Sequence, residues 1–208
     1  MKLHYHFSPY GFSNCYVLGM ETRSETSVSH DAIIIDPGNM DTDLLSIIED
    51  HNYTLKGVLI THDHNHHVRG LKTIMKIYNA EVFAINPAVK GQRTTIVKDG
   101  DILNIGPFKT EVISIPGHSA DSAVYKIERL IFTGDSLFAG FMGSTASSYA
   151  AATQRSALRN KLLSLPGHYI VLPGHGPPSS LEAERRYNLD LNSLKQQKKR
   201  RPAFWEDT

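Results

Sequence analysis

Apolar residues arrive in short bursts through the first quarter of the chain, each strand-sized and each closed by a turn signal. KLHYHF (2–7) and NCYVLGM (14–20) predict strands on either side of SPYG, and AIIIDPGN (32–39) a third, stopped by Pro37 and Gly38. The period then changes. In DTDLLSIIED (41–50), Leu44, Leu45, Ile47 and Ile48 recur at helical spacing behind an acidic first turn. LKGVLITH (55–62) predicts a buried strand, VRGLKTIMKIYN (68–79) a helix and AEVFAIN (80–86) a strand. Residues 94–115 are cut by Gly-Asp and Gly-Pro turns into a meander of short strands. SAVYKIERLIFTGD (122–135) predicts two strands meeting at a tight turn near Glu128 and Arg129. YAAATQRSALRNKLLSL (149–165) predicts a helix ended by Pro166 and Gly167, and HYIVLPGHG (168–176) a last strand. SSLEAERRYNLDLNSLKQQ (179–197) predicts a terminal helix capped by Ser180.

Strands and helices therefore interleave throughout, which is the pattern of an α/β layered domain. No linker marks a second domain, so the expectation is one domain over residues 1–208, with a solvated basic and aromatic tail, KKRRPAFWEDT, from about residue 198. A chain of 208 residues buries roughly 70% of its unfolded surface, enough for a core without disulfide or metal staples. Its single cysteine, Cys15, excludes an intrachain disulfide, suits a reducing compartment and reads as a small buried hydrophobe. A net charge of +1 argues against nucleic-acid or membrane-surface partners. No apolar run approaches the roughly 20 residues of a membrane span, and MKLHYHFSPYGF lacks a secretory apolar core. A cytoplasmic protein acting on a small molecule is the expectation; the oligomeric state is left open.

Eleven histidines change the picture, because of where six of them fall. His62, His64, His66 and His67 follow LKGVLIT; His118 follows EVISIPG; His175 follows YIVLPG; and Asp135 follows RLIFTG. Each lies where a predicted strand ends, so loops on a rigid sheet can bring them together. Alternate spacing places His62, His64 and His66 on one side of an extended segment. Imidazoles crowded this closely repel when protonated, and imidazole plus carboxylate without thiolate is the donor set of a catalytic zinc or iron site. His4, His6, His30, His51 and His168 show no such pattern and read as surface or hydrogen-bonded core residues.

The segment THDHNHH (61–67) resembles the H-x-H-x-D-H signature of the metallo-β-lactamase superfamily. IIIDPG, PGHS, FTGDSLF and LPGHGPP follow in that family's order, and TGDSLFAG with LPGHGPPSSLEAERRYN is most similar to glyoxalase II (hydroxyacylglutathione hydrolase) and its short relatives. The resemblance implies a four-layer αββα sandwich with metals at one edge between the sheets. It implies a first ion on His62, His64 and His118, and a second on His67 and His175, with Asp135 bridging both and Asp36 supporting from behind. It further implies two divalent metal ions, zinc above iron or manganese. Asp63 and Asn65 fall at variable positions of the motif.

One position departs. Where the family has aspartate, this chain has His66, which either ligates through nitrogen or turns away. With Asp135 as the lone carboxylate, the second metal is expected to bind weakly or to need an outside anion. The function the resemblance implies is metal-dependent hydrolysis of a small ester or thioester by a metal-bound hydroxide, with Asp135 and His66 as the catalytic pair around the water. No Lys or Arg occurs between Phe138 and Gln154, where glyoxalase II relatives carry a basic residue for glutathione, so glutathione thioesters are not the expected substrate. The alternatives are a mononuclear iron persulfide dioxygenase-like oxidoreductase using His62, His118 and Asp135, and a diiron oxygen-binding sensor.

Overall fold

Residues 15–18 display the logic of the whole chain. All four are buried; Cys15 and Val17 join one apolar cluster and Tyr16 and Leu18 another. Because successive side chains of a strand point to opposite faces, both faces of this strand must be covered. Ala32 and Ile34 against Ile33 and Ile35 repeat the division in the neighbouring strand. A continuous apolar run, rather than an alternating one, is how a strand with two dry faces reads.

The computed structural model describes residues 1–23 and 27–196. Two six-stranded sheets stack face to face. The first runs, in spatial order, Lys2–Ser8, Ser13–Arg23, Val28–Ile35, Thr54–Leu59, Glu81–Ala84 and Thr95–Ile96. Its first three strands pair antiparallel and the rest parallel. The second runs Ser179–Ser180, Ile170–Pro173, Leu130–Gly134, Ala123–Ile127, Phe108–Ser114 and Ile102–Ile105. Tyr16, Ile33, Leu59 and Phe83 of the first sheet meet Phe108, Val112, Tyr125 and Phe132 of the second in the layer between them. On the outside of the first sheet lie the helices Thr42–Glu49 and Leu71–Ile77, through Leu44, Ile48, Leu71 and Ile74. On the outside of the second lie Leu158, Leu162, Leu181 and Leu191 of the later helical segments. The order of layers is αββα, as the sequence led us to expect. The tail from about residue 198 lies outside the described residues. No helix among the described residues is long and apolar enough to cross a membrane.

Several boundaries differ from the sequence reading. The helix expected over 68–79 is two pieces, Asn65–Val68 and Leu71–Ile77, because the Gly70 amide donates to Pro37 O at 3.0 Å and is drawn onto the Asp36–Gly38 turn. The helix expected over 149–165 is α-helical from Ser148 to Ala157 and continues as a π turn over Leu158–Leu162. The terminal helix divides at Asn188, whose side chain caps the next segment through the Leu191 amide at 3.1 Å. A small hairpin, Leu137–Phe138 with Phe141–Met142, was not expected.

Strand direction sets where the site forms. Val28–Ile35 and Thr54–Leu59 run parallel, as do Leu130–Gly134 and Ile170–Pro173; Phe108–Ser114 is antiparallel to the strand between it and Leu130–Gly134. Their C-terminal ends therefore share one edge of the sandwich. Ala123 N–Thr61 O and Asn14 N–Gly174 O bonds, both 2.8 Å, tie the sheets together there.

Candidate metal centre

The strand Thr54–Leu59 is extended by Ile60 and Thr61 and delivers the buried His62 to this edge. Extended backbone ends at His64, which has φ −84° and ψ 139° and stands at the N-cap of the helical turn Asn65–Val68. The reading of His62, His64 and His66 as one side of an extended segment is corrected here. His62 and His64 project from extended chain, whereas His66 and His67 project from a helical turn, which separates the four imidazoles into two sets.

His62, His64, His118 and Asp135 form one group, and His66, His67, His175 and Asp135 form another; within each, one candidate ligand atom per residue lies within 4.8 Å of the rest. In the first, His62 Nε2 and His118 Nε2 stand 2.9 and 3.0 Å from His64 Nδ1. In the second, Asp135 Oδ1 is 3.2 Å from His67 Nε2, while Oδ2 is 3.4 Å from His175 Nε2 and 3.9 Å from His66 Nε2. Oδ2 also reaches the first group, 3.5 Å from His118 Nε2 and 3.9 Å from His62 Nε2. All seven residues singled out in the sequence converge, and His66 is turned toward Asp135.

Hydrogen bonds on the far side of the rings fix their tautomers. His118 Nδ1–H donates to Ser144 O at 2.8 Å and His175 Nδ1–H to Phe12 O at 2.9 Å. In the neutral rings both Nε2 atoms then present lone pairs to the Asp135 carboxylate, an arrangement that requires positive charge between them. His66 Nε2, His67 Nε2 and Asp135 Oδ1 are buried and make no hydrogen bond among the described residues. Seven hard or borderline donors, several unpaired, with no thiolate, fit divalent zinc, iron or manganese.

Asp36 has the supporting place expected of it. Its Oδ1 accepts from Thr61 N at 2.8 Å and its Oδ2 from Thr61 Oγ1 at 2.5 Å, and Oδ2 lies 3.3 Å from His67 Nδ1. Asp63 and Asn65 join neither group: the Asp63 amide donates to Asp121, and Asn65 Nδ2 donates to Tyr10 OH. Behind His66 lies the turn between the first two strands, so close that a Cβ on Gly11 would overlap His66 Cβ.

In the metal-free protein, protons stand where cations would. Burial opposes charge on His67, but the facing carboxylates of Asp135 and Asp36, 3.2 and 3.3 Å from its two ring nitrogens, outweigh that and lift its pKa to about 9. His175 is raised chiefly by Asp135. Burial works to raise Asp135, yet His175, His66 and His67 hold it far below the usual carboxylate range. On the other side, burial and then His67 push His62 down to about 3, and burial with His118 lowers His64.

Comparison with known proteins identifies the family and the fold. Residues 9–90 match the family model of the metallo-beta-lactamase superfamily. A hydroxyacylglutathione hydrolase of Haemophilus influenzae is 30% identical over 188 residues, covering 78% of this chain and 88% of that protein. The chain belongs to the metallo-beta-lactamase superfamily. A probable metallo-hydrolase of Bacillus subtilis is likewise 30% identical, with 78% of this chain and 88% of the relative covered. Among solved structures, the superfamily member BLEG-1, a B3 metallo-beta-lactamase, superimposes with a TM-score of 0.75 at 25% identity, over 91% of this chain and 99% of that one.

The sequence reading missed the groups behind the candidate ligands: Thr61 and the carbonyls of Phe12 and Ser144, and the buried Gln154, which bonds Ser136 O and Gly143 O in the neighbouring loops. Carbonyls leave no trace in residue type. Gln154 does, as a polar residue four positions before Leu158 on a face that is otherwise apolar.

Proposed function

We propose that this protein is a metal-dependent hydrolase of a small ester or thioester, with up to two divalent ions held by His62, His64, His118 and Asp135 and by His66, His67, His175 and Asp135. The observation that carries this reading is the sharing of Asp135 between two groups of histidines whose nitrogens face it. Divalent ions held there would acidify a water toward a pKa of roughly 7 and polarise a carbonyl.

The chain's own residues do the rest. Asp135 is placed to orient the attacking water, since its two oxygens face both histidine sets. Asp36 holds His67 from the opposite side of the ring, and the Ser144 and Phe12 carbonyls keep His118 and His175 in the tautomer that offers Nε2 inward. Ions held by these residues would supply positive charge for a developing oxyanion, so the reading needs no Ser or Cys nucleophile. The names of the Haemophilus and Bacillus relatives support a hydrolytic reading, and the Haemophilus name alone points toward an acyl-thiol substrate.

The test is hydrolysis of a panel of small esters and thioesters before and after chelation, with metal content measured in parallel. Activity lost on chelation and restored by zinc, iron or manganese is expected, at up to two ions per chain. Full activity in metal-free protein refutes the proposal. Oxygen uptake with a persulfide, by protein carrying one iron and inert to every ester, replaces it with the oxidoreductase alternative.

A further inference from the structure

Gln154 is fully buried on the helix that covers the outside of the second sheet, yet it carries a polar amide. Its Nε2 donates to Ser136 O at 2.9 Å and to Gly143 O at 3.3 Å. Ser136 follows Asp135. Gly143 precedes Ser144, whose carbonyl fixes the His118 ring. The third segment converging on this side chain is Gly117–His118: a Cβ on Gly117 would overlap Gln154 Cβ and stand 2.8 Å from Gln154 Oε1 and Ala150 O. The amide thus bonds the loops that carry Asp135 and the carbonyl orienting His118, and the side chain packs beside the third, Gly117–His118, where only a glycine fits.

The helix is shaped to hold it there. Gln154, Leu158 and Leu162 are all fully buried, at intervals of four residues. In a regular α-helix such a row drifts about 40° per step away from one face. The π turn over Leu158–Leu162, closed by Leu163 N–Leu158 O at 2.8 Å, cancels that drift and keeps the row against the sheet. Burying an amide is costly unless it is hydrogen-bonded, and this one uses its donors on loops of the metal centre rather than on its own helix.

We propose that Gln154 is a positioning residue that aligns His118 and Asp135 for metal binding in the first group. This rests on the metal-dependent reading above. Outer groups that orient ligands typically contribute 10–100-fold in metal affinity.

The test uses Gln154→Met, which keeps most of the volume and loses the hydrogen bonds, and Gln154→Glu, which keeps the shape but cannot donate to two carbonyls when ionised. Each is made in the full chain, alone and with His175→Ala to weaken the second group. Metal-free proteins are titrated with cobalt(II) against a competing chelator, following the visible bands, and thermal unfolding is recorded without metal. Expected is a loss of roughly 10–100-fold in cobalt affinity with altered bands, present in the His175→Ala background, from variants that still unfold cooperatively. Unchanged cobalt affinity and bands in either folded variant, even with lowered Tm, overturn the proposal and leave Gln154 a packing residue. If the unsubstituted protein binds no cobalt, the metal-dependent reading itself fails, a result distinct from the other two.

Discussion

Replacing Gly174 by alanine tests the geometry of the centre without removing a ligand. Gly174 lies between Pro173 and His175, its amide bonded to Gly134 O and its carbonyl to Asn14 N, both at 2.8 Å. An added methyl would stand 2.7 Å from His67 Cε1 and 3.0 Å from Gly134 C, and nearer still to Asp135 Oδ1, where ordinary contact begins at 3.4 Å. Something must therefore move by about 0.7 Å or more. Backbone can yield little, since Gly174 is bonded on both sides, and His67 is fully buried. The strain goes into Asp135 and His67, at about 1–3 kcal/mol in stability. Displacing a ligand by nearly 1 Å costs on the order of 100-fold in rate, or about 2.7 kcal/mol in the barrier. Thermal unfolding, metal content and kcat/KM on one thioester should be measured on the same preparations. Metal content equal to that of the unsubstituted protein, with kcat/KM within about threefold, would refute the reasoning.

Other consequences follow from single contacts. His66→Asp, which restores a carboxylate beside Asp135, should strengthen binding of the second ion by roughly tenfold or more; calorimetric titration with zinc checks this. His67 has its pKa raised to about 9, so below that pH the metal-free protein holds a proton that an ion must displace. Affinity of the second group should therefore fall about tenfold per unit as pH drops from 9 toward 7, and proton release should show in buffers of different ionisation enthalpy. His62, lowered to about 3, is already neutral across that range and should release none. Tyr125→Phe removes the hydroxyl that donates to Ile60 O at 2.9 Å beside the histidine loop, and should cost about 1–2 kcal/mol in urea unfolding with little change in metal content.

The layers were legible because buried strands announce themselves: Ile33–Ile35 and Val58–Ile60 are dry on both faces and read as unbroken apolar runs. So was the convergence of the candidate ligands, because His118, Asp135 and His175 each follow such a run. What escaped was local. The break between the helical turn at Asn65 and the next helix goes with Gly70 bonding to Pro37, a contact between segments some thirty residues apart that periodicity does not register. That turn is what separates His66 from His62 and His64. The π turn escaped for a related reason: Leu158 and Leu162 are good helix formers in any helix, and only the need to bury them in line with Gln154 selects the wider one.

The candidate ligands are divided between the two sheets. His62, His64, His66 and His67 leave the first, while His118, Asp135 and His175 leave the second, and each group of four draws on both. An ion in either group is then a rivet through the sandwich at an edge where hydrogen bonds such as Asn14 N–Gly174 O, Ala123 N–Thr61 O and Tyr16 OH–Pro173 O already join the halves. Parting the sheets there would strip the ion of donors from one side at once, so loading should suppress that opening. Amides near Thr61, Ala123 and Gly174 should exchange with deuterium faster after chelation, while those at the opposite end, near Thr54 and Ile127, should keep their rates.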